Sequence, residues 1–261
     1  MSEPLLVERM DNGVAVLTLN QPERRNAMTE DVTAVWDATM KQLAVDQSLR
    51  AVVLTGAGTA FCSGGDLSWL AEGSPETVTP YELRNRMYPF YRTWLQIRDL
   101  PVPTIAAVNG PAVGAGLCVA LACDLRYAAP TARFSVPFTM LGMHPGMAAT
   151  WLLPQAIGMS RAREMFFTGR AVGATEAVSW GLAVAEVEDV RAHAIEVAST
   201  IAAAAPIATR LTKSALASPY KSISDALEWE AAAQPITLAS HDLFEGLAAV
   251  RERRTPRFEG R

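Results

Sequence analysis

The chain has 261 residues, of which 50% are hydrophobic, and its formal net charge at pH 7 is −4. This composition supports a substantial core and excludes extensive disorder. The acidic balance argues against nucleic acid or an anionic membrane as the main partner, although a local basic patch could still bind a phosphorylated small molecule.

The three cysteines, Cys62, Cys118 and Cys123, predict neither a disulfide framework nor a metal site, because their number is odd and no CxxC pair is present. A reducing, cytoplasmic setting fits them best. The N-terminal residues have no basic region followed by a long apolar run, so we predict no signal peptide. No stretch reaches about 18 uninterrupted, strongly apolar residues, so we also predict no membrane span.

Strands and helices alternate in the first part of the chain. The segments "LLVERM" and "VAVLTL" flank "DNG" and predict a β-hairpin. Thr29 is the expected N-cap of a helix. Later strands are predicted at "RAVVLTG", "TIAAVNG" and "DLRYAA", and the alternation as a whole predicts an α/β fold. The apolar residues of the predicted helix recur at helical spacing: Val32, Val35, Trp36, Met40 and Leu43.

The pattern becomes helical from about residue 187. Helices are predicted near 189–204, 206–217, 222–239 and 241–253. We therefore divide the chain into a core, residues 1–200, and a helical C-terminal region, residues 201–261. The segment 72–80, "EGSPETVTP", is the predicted mobile surface loop.

A glycine-rich stretch, "GPAVGAG", precedes a helix that is predicted to begin between Gly114 and Gly116. The first N–H groups of a helix have no intrahelical acceptor and lie at the positive end of its dipole. Such an end stabilises a negative charge, including a developing oxyanion, and small residues keep side chains out of the way. The alternative is close packing of the helix against a sheet.

A second loop of small residues, "TAFCSGGDL", covers residues 59 to 67 and also follows a predicted strand. The two loops could each offer one N–H group to the same carbonyl oxygen. Neither contains the G-x-G-x-x-G pattern of a dinucleotide site, and neither ends in the Gly-Lys-Ser/Thr of a P-loop.

Five segments together resemble the crotonase superfamily, also called the enoyl-CoA hydratase/isomerase family: "QPERRNAM", "RAVVLTGAGTAFCSGGDL", "PTIAAVNGPAVGAGLCVALACDLRYA", "ARFSVPFTMLGMHPG" and "FFTGRAVGATEAVSWGLA". The resemblance covers nearly the whole chain. It implies an α/β fold of the crotonase (ClpP-like) type, a spiral of ββα units followed by a helical trimerisation region. It also implies an acyl-coenzyme A substrate, with no cofactor beyond that coenzyme A.

By this resemblance, the amides of Ser63 and Ala115 hold the thioester oxygen and stabilise an enolate; the family usually has glycine where Ala115 stands. Positive charge at Arg24 and Arg25 suits the phosphates of coenzyme A, and Phe258 is expected to reach the coenzyme A of a neighbouring subunit. The implied coenzyme A contacts are Arg24, Arg25, Ala27, Cys62, Gly64, Gly65, Asp66, Leu67 and Phe258. The implied acyl pocket includes Trp69, Met140, Leu141 and Met143.

Both glutamates that the hydratases of this family use are missing, because Cys118 and Phe138 stand at their places. General acid–base catalysis is worth roughly 10²–10⁴-fold per group, so at most slow hydration is expected unless other residues substitute. His144 could act as the acid or base. Alternatively, it hydrogen-bonds the backbone at a Pro-Gly turn. Cys118 is expected to be a small buried hydrophobe rather than a nucleophile.

The leading hypothesis is an acyl-CoA-binding enzyme that hydrates or isomerises an enoyl-CoA through a thioester enolate. The rival is a non-catalytic acyl-CoA binder or carrier, which the missing glutamates favour. A remote alternative is a serine hydrolase that uses Ser63. The resemblance further implies a homotrimer or a dimer of trimers, with no nucleic acid or membrane partner.

Overall fold

The computed structural model describes residues 3–66, 78–217, 220 and 222–261. The strands are β1 (Leu5–Arg9), β2 (Val14–Leu19), β3 (Ala51–Gly56), β4 (Thr104–Val108), β5 (Pro111–Val113), β6 (Leu125–Ala128), β7 (Arg133–Ser135), β8 (Val172–Gly173) and β9 (Ala185–Glu186). The helices are α1 (Glu30–Val45), α2 (Pro80–Leu95), α3 (Ala115–Ala122), α4 (Ala149–Ile157), α5 (Met159–Thr168), α6 (Ala174–Trp180), α7 (Val190–Ala202), α8 (Pro206–Ala217), α9 (Ile223–Leu238) and α10 (His241–Glu252).

Two sheets organise the α/β part, which confirms the predicted fold class. The larger sheet has the order β1-β2-β3-β4-β6-β9, and only its β1–β2 pair is antiparallel. The smaller sheet has the order β5-β7-β8. The β1–β2 pair is the hairpin that "DNG" predicts, and the Asn12 side chain accepts the N–H of Val14 in its turn. The chain passes from the large sheet to the small one between β4 and β5.

The hydrophobic core lies on both faces of the large sheet. Thr29 caps α1 as predicted, with its side chain accepting the N–H of Val32. On this face the indole rings of Trp36 and Trp94 stack at 4.7 Å, which locks α1 against α2. On the other face, α7 buries Val190 and the small residues along its length against the sheet. Both faces of β3 are therefore covered, and all six of its residues are buried.

The C-terminal helices α7 to α10 begin and end within two residues of the predicted ranges. The proposed division at residue 200 falls inside the last turn of α7, which packs on the sheet. Within the described residues, no single helix is long and apolar enough to cross a membrane; Val190–Ala202 and Pro206–Ala217 meet that test only as a pair bent by 111°. Most of the predicted mobile loop, 72–77, lies outside the described residues.

Candidate active site

The two loops of small residues lie side by side. Cys62 pairs with Ala112 in an isolated parallel bridge. The Cys62 N–H donates to the Pro111 carbonyl at 3.1 Å, and its own carbonyl accepts the N–H of Val113 at 3.0 Å. The loop after β3 is therefore paired with β5 at this bridge, and the Cys62 carbonyl lies against Gly116 at the start of α3. This contact confirms the expectation that the two loops meet.

Two glycines make this approach possible. A Cβ atom on Gly116 would overlap the carbonyl oxygen of Cys62, so only glycine lets α3 start against the other loop. Gly64 has a φ of +93°, and a Cβ there would lie 2.6 Å from the Val113 oxygen and 3.3 Å from the Ala115 nitrogen. Glycine is therefore required at both positions for the two loops to pack together. Because glycine has no side chain, neither residue covers the N-terminus of α3.

The N-terminus of α3 offers free main-chain donors. Its first hydrogen bond runs from the Cys118 N–H to the Gly114 carbonyl at 3.1 Å. In the described part of the chain, the N–H groups of residues 115–117 have no acceptor. They also lie at the positive end of the helix dipole. Ala115 lines a cavity, so its amide is available to a ligand.

The expectation for the second donor, Ser63, is wrong. The Ser63 N–H already donates to the carbonyl of Arg25 at 3.0 Å. The next amide, of Gly64, faces the Cys62 sulfur and lowers the pKa of that thiol, against the larger effect of burial. The Gly65 N–H has no acceptor among the described residues, and Gly65 lines the same cavity as Ala115. The free donor of this loop is therefore Gly65, two residues after the predicted position.

Asn26 supports the loop that leads to the cavity, and the sequence did not single it out. Its side chain is buried, and its Nδ2 donates to the carbonyls of Ala57 and Ala60 at 2.9 and 2.8 Å. Arg25 and Asn26 both have left-handed backbone, with φ of 51° and 56°. This turn aims the Arg25 carbonyl at Ser63, and so decides which amide of the loop stays free.

The cavity in front of these amides has a volume of about 110 Å³. Leu141 and Met143 line it, as expected. Met140 does not: its side chain is 66% exposed and packs against Gly169, which corrects its assignment to the pocket. Leu67 and Trp69 lie outside the described residues.

One cavity wall comes from α2, which sequence reasoning missed. Met87, Phe90 and Tyr91 line it from one face of this helix. Their spacing of three and four residues is a helical signal in "RMYPFYRTWL". The pattern predicts that this face of α2 is buried. It does not predict that the face lies opposite α3 and the stretch 137–147, across the cavity.

The two positions at which the resemblance implies hydratase glutamates differ in their surroundings. Phe138 lines the cavity, and its ring lies 3.5 Å from the point where Gly114 would carry a Cβ. Cys118 is fully buried below the cavity, with its Sγ 3.8 Å from the Gly146 carbonyl. Burial raises the pKa of the Cys118 thiol to about 12, so it is protonated near neutral pH. The buried-hydrophobe interpretation of Cys118 is confirmed.

His144 also lines the cavity, at its exposed side. Its Nδ1 lies 2.8 Å from the Pro145 carbonyl, so the predicted backbone hydrogen bond is confirmed. A carbonyl accepts only, hence Nδ1 carries the hydrogen, and in the neutral ring Nε2 has the lone pair. The Ser63 hydroxyl donates to the Arg24 carbonyl at 3.4 Å rather than to a histidine, which removes the geometric basis for a serine hydrolase.

The residues expected to contact coenzyme A fall into separate groups. Arg24 and Arg25 are exposed beside the cavity loop, and Arg24 forms an ion pair with Asp66 at 2.7 Å. The Cys62 side chain is fully buried, which corrects its assignment as a ligand contact: its main chain holds β5 instead. The coenzyme A role of Ala27, which is 9% exposed, stays a prediction.

Phe258 lies away from this cavity, in a groove of the C-terminal region beside Gly246. The buried Asp242 carboxylate anchors its segment by accepting the N–H groups of Glu259 and Gly260 at 2.8 and 2.9 Å. The contact of Phe258 with a neighbouring subunit's coenzyme A stays a prediction. Across the described ranges, no group of three or more His, Cys, Asp or Glu side chains could hold a metal ion.

Known proteins resemble this chain over most or nearly all of its length. Residues 9–261 match the sequence model of the family described as enoyl-CoA hydratase/isomerase. Probable enoyl-CoA hydratase EchA14 of Mycobacterium tuberculosis is 42% identical over 220 residues, which are 83% of this chain and 84% of that protein. The 1,2-epoxyphenylacetyl-CoA isomerase of Escherichia coli is 34% identical over 260 residues, 98% of each. The crystal structure of an enoyl-CoA hydratase from Bacillus anthracis matches with a TM-score of 0.92 and 34% identity, covering 99% of this chain and 100% of that one.

Proposed function

Because the chain belongs to the enoyl-CoA hydratase/isomerase family and has the crotonase fold, we propose that its cavity binds an acyl-CoA thioester. The N–H groups of Gly65 and Ala115 hold the thioester oxygen and stabilise the enolate that forms from it. The observation that carries this proposal is the pair of unpartnered amides, from two separate loops, that line one cavity.

The physical basis is electrostatic. Negative charge develops on the thioester oxygen when the enolate forms, and fixed amide dipoles stabilise it without having to reorganise. The dipole of α3 adds to the effect at Ala115. The methyl group of Ala115 changes nothing in this respect, since its N–H group is the same as that of a glycine. One such donor is worth about 10²–10³-fold in rate.

Hydration or isomerisation of an enoyl-CoA is the reaction type that the names of the relatives support. The chain is an enzyme of this type, which sets aside the non-catalytic carrier. Among the described residues that line the cavity, none carries a carboxylate. His144 Nε2 is therefore the ring nitrogen that accepts a proton from a water molecule or from the substrate.

Coenzyme A enters past the loop that holds Asp66. The guanidinium groups of Arg24 and Arg25 lie at this side and suit its phosphates. The Arg24–Asp66 ion pair is partly exposed and costs little to open.

A homotrimer or a dimer of trimers completes the proposal. Its support is the apolar surface that the C-terminal helices leave uncovered in one chain, including Leu216 of α8 and Ile223 of α9, which are 83% and 81% exposed. Light scattering tests this assembly: a mass of three or six chains is expected, and a monomer would contradict it.

Calorimetric titration with butyryl-CoA, hexanoyl-CoA and decanoyl-CoA tests the substrate class. We expect saturable binding of at least one of these esters, and weaker binding of free coenzyme A because it lacks the acyl group. Failure of every ester to bind contradicts the proposal. Turnover of crotonyl-CoA and of a 3-enoyl-CoA then separates hydration from isomerisation.

A further inference from the structure

Three polar side chains line the described part of the cavity: Ser63, Tyr91 and His144. Two of them are engaged with the backbone. The Ser63 hydroxyl donates to the Arg24 carbonyl, and the Nδ1 of His144 is bonded to the Pro145 carbonyl. The Tyr91 hydroxyl has no hydrogen-bond partner in the described ranges, although its side chain is half-buried. A phenol in an otherwise apolar wall without a partner is available to the substrate.

The position of this hydroxyl is defined by its neighbours. It lies 2.5 Å from the point where Gly146 would carry a Cβ, and the Gly146 carbonyl is 3.8 Å from the Cys118 Sγ. Cys118 is three residues after Ala115, so its side chain lies on the helix face below the amide of Ala115. The phenol therefore reaches across from α2 to the space above Cys118, beside the free amides of α3.

The hydroxyl is a donor at neutral pH. Burial, and to a smaller extent the neighbouring Cys118 sulfur, raises the pKa of Tyr91 above its usual range. A neutral phenol has one hydrogen to donate, and the neighbouring thiol stays protonated as well. No carboxylate lines this part of the cavity within the described chain, and the Tyr91 hydroxyl is a donor beside Cys118, where the resemblance places a hydratase glutamate.

We propose that Tyr91 is a catalytic residue that delivers the proton to the α-carbon of the thioester enolate. This inference rests on the proposed function. In the step, the Tyr91 O–H bond breaks and a C–H bond forms at the α-carbon, using the electron pair of the enolate. The thioester carbonyl is restored and leaves the two amides. The phenolate that remains takes back a proton from water. In the reverse direction, the phenolate removes an α-proton and the amides of Gly65 and Ala115 hold the resulting enolate.

The reverse step provides a test that does not depend on the natural acyl chain. Butyryl-CoA is incubated with the protein in D₂O, and deuterium at its α-carbon is followed by mass spectrometry. Calorimetry with the same ester gives its Kd for each variant. Tyr91→Phe removes only an unpartnered hydroxyl, so the fold and the apolar contacts of the ring are retained. Tyr81→Phe is the matched control, because Tyr81 lies on the same helix and is 71% exposed.

We expect the wild type and Tyr81→Phe to exchange the α-hydrogen at equal rates. Tyr91→Phe should exchange it about 10²–10⁴-fold more slowly, the usual contribution of one acid or base, with its Kd for butyryl-CoA unchanged. Exchange at the wild-type rate in Tyr91→Phe overturns the role of Tyr91 and leaves the proposed function standing. Binding without exchange in the wild type overturns it too. Absence of binding in the wild type contradicts the proposed function itself.

Discussion

The cavity has two walls of different construction. One wall consists of main chain: the loop 62–65 and the start of α3 present amides, with glycines and an alanine around them. The other consists of side chains, from the α2 segment 87–91 and the stretch 137–147. A main-chain wall stabilises the same charge whatever side chains surround it. The proposed acid–base groups, Tyr91 and His144, and the proposed acyl pocket belong to the side-chain wall.

The largest expected effect concerns the three buried thiols, of which Cys62 and Cys118 belong to the loop and the helix of the main-chain wall. Burial raises the pKa values of Cys62, Cys118 and Cys123 to about 12, from an ordinary value of 9.0. The thiolate is the reactive form, so alkylation by iodoacetamide at pH 8 should be about 10³-fold slower in the folded protein than in urea. The rate should rise with pH until the thiols ionise near pH 12. Rapid labelling of Cys118 in the folded protein would show that this wall is open to solvent.

Ala115→Pro removes one amide of the main-chain wall. Ala115 is the first residue of α3, a position at which proline is tolerated in helices, so the fold should persist. Without this donor, the rate of α-hydrogen exchange in butyryl-CoA should fall by about 10²–10³-fold.

Met159→Pro is the control for this variant. Met159 is also the first residue of a helix after a glycine N-cap, but it is exposed and does not line the cavity. The Met159→Pro variant should exchange the α-hydrogen at the wild-type rate and should have a Tm similar to that of Ala115→Pro. Equal rates in Ala115→Pro and the wild type would show that the main-chain wall does not hold the oxyanion.

Phe138→Glu changes the side-chain wall by placing a carboxylate in the cavity. One positioned acid or base contributes roughly 10²–10⁴-fold, and hydration of crotonyl-CoA should increase by about 10²-fold, the lower end of that range. Phe138→Gln has a similar shape and no ionisable group, so it should show no such gain. Equal rates in the two variants would mean that the side chain at 138 does not reach the reacting carbons.

The sequence predicts the regular elements and the meeting of the two loops, but not which amide of the main-chain wall is free. Regular elements follow from periodic apolar patterns, and the helices from α7 to α10 lie within two residues of their predicted bounds. The meeting of the two loops follows from their glycines and the resemblance. The sequence does not predict that Gly65 carries the free amide. That outcome depends on the left-handed turn at Arg25 and on the hydrogen bond from the Ser63 N–H to the Arg25 carbonyl, which are far apart in the sequence.

The side-chain wall is harder to predict because tertiary contacts select its members. Met140 and Leu141 are adjacent in a 3₁₀ turn, where successive side chains point in different directions. Leu141 faces the cavity, whereas Met140 packs against Gly169. Tyr91 comes from an element whose apolar face is visible in the sequence, but its contact with the Cys118 region exists only in the folded chain.

A crystal structure with acetoacetyl-CoA, whose enolate form resembles the intermediate, tests the central claim most directly. The thioester oxygen should lie about 2.7–3.1 Å from both the Gly65 and the Ala115 nitrogens, as in other oxyanion sites. A thioester oxygen that contacts neither nitrogen, in a complex with the ligand otherwise seated in this cavity, would contradict the account.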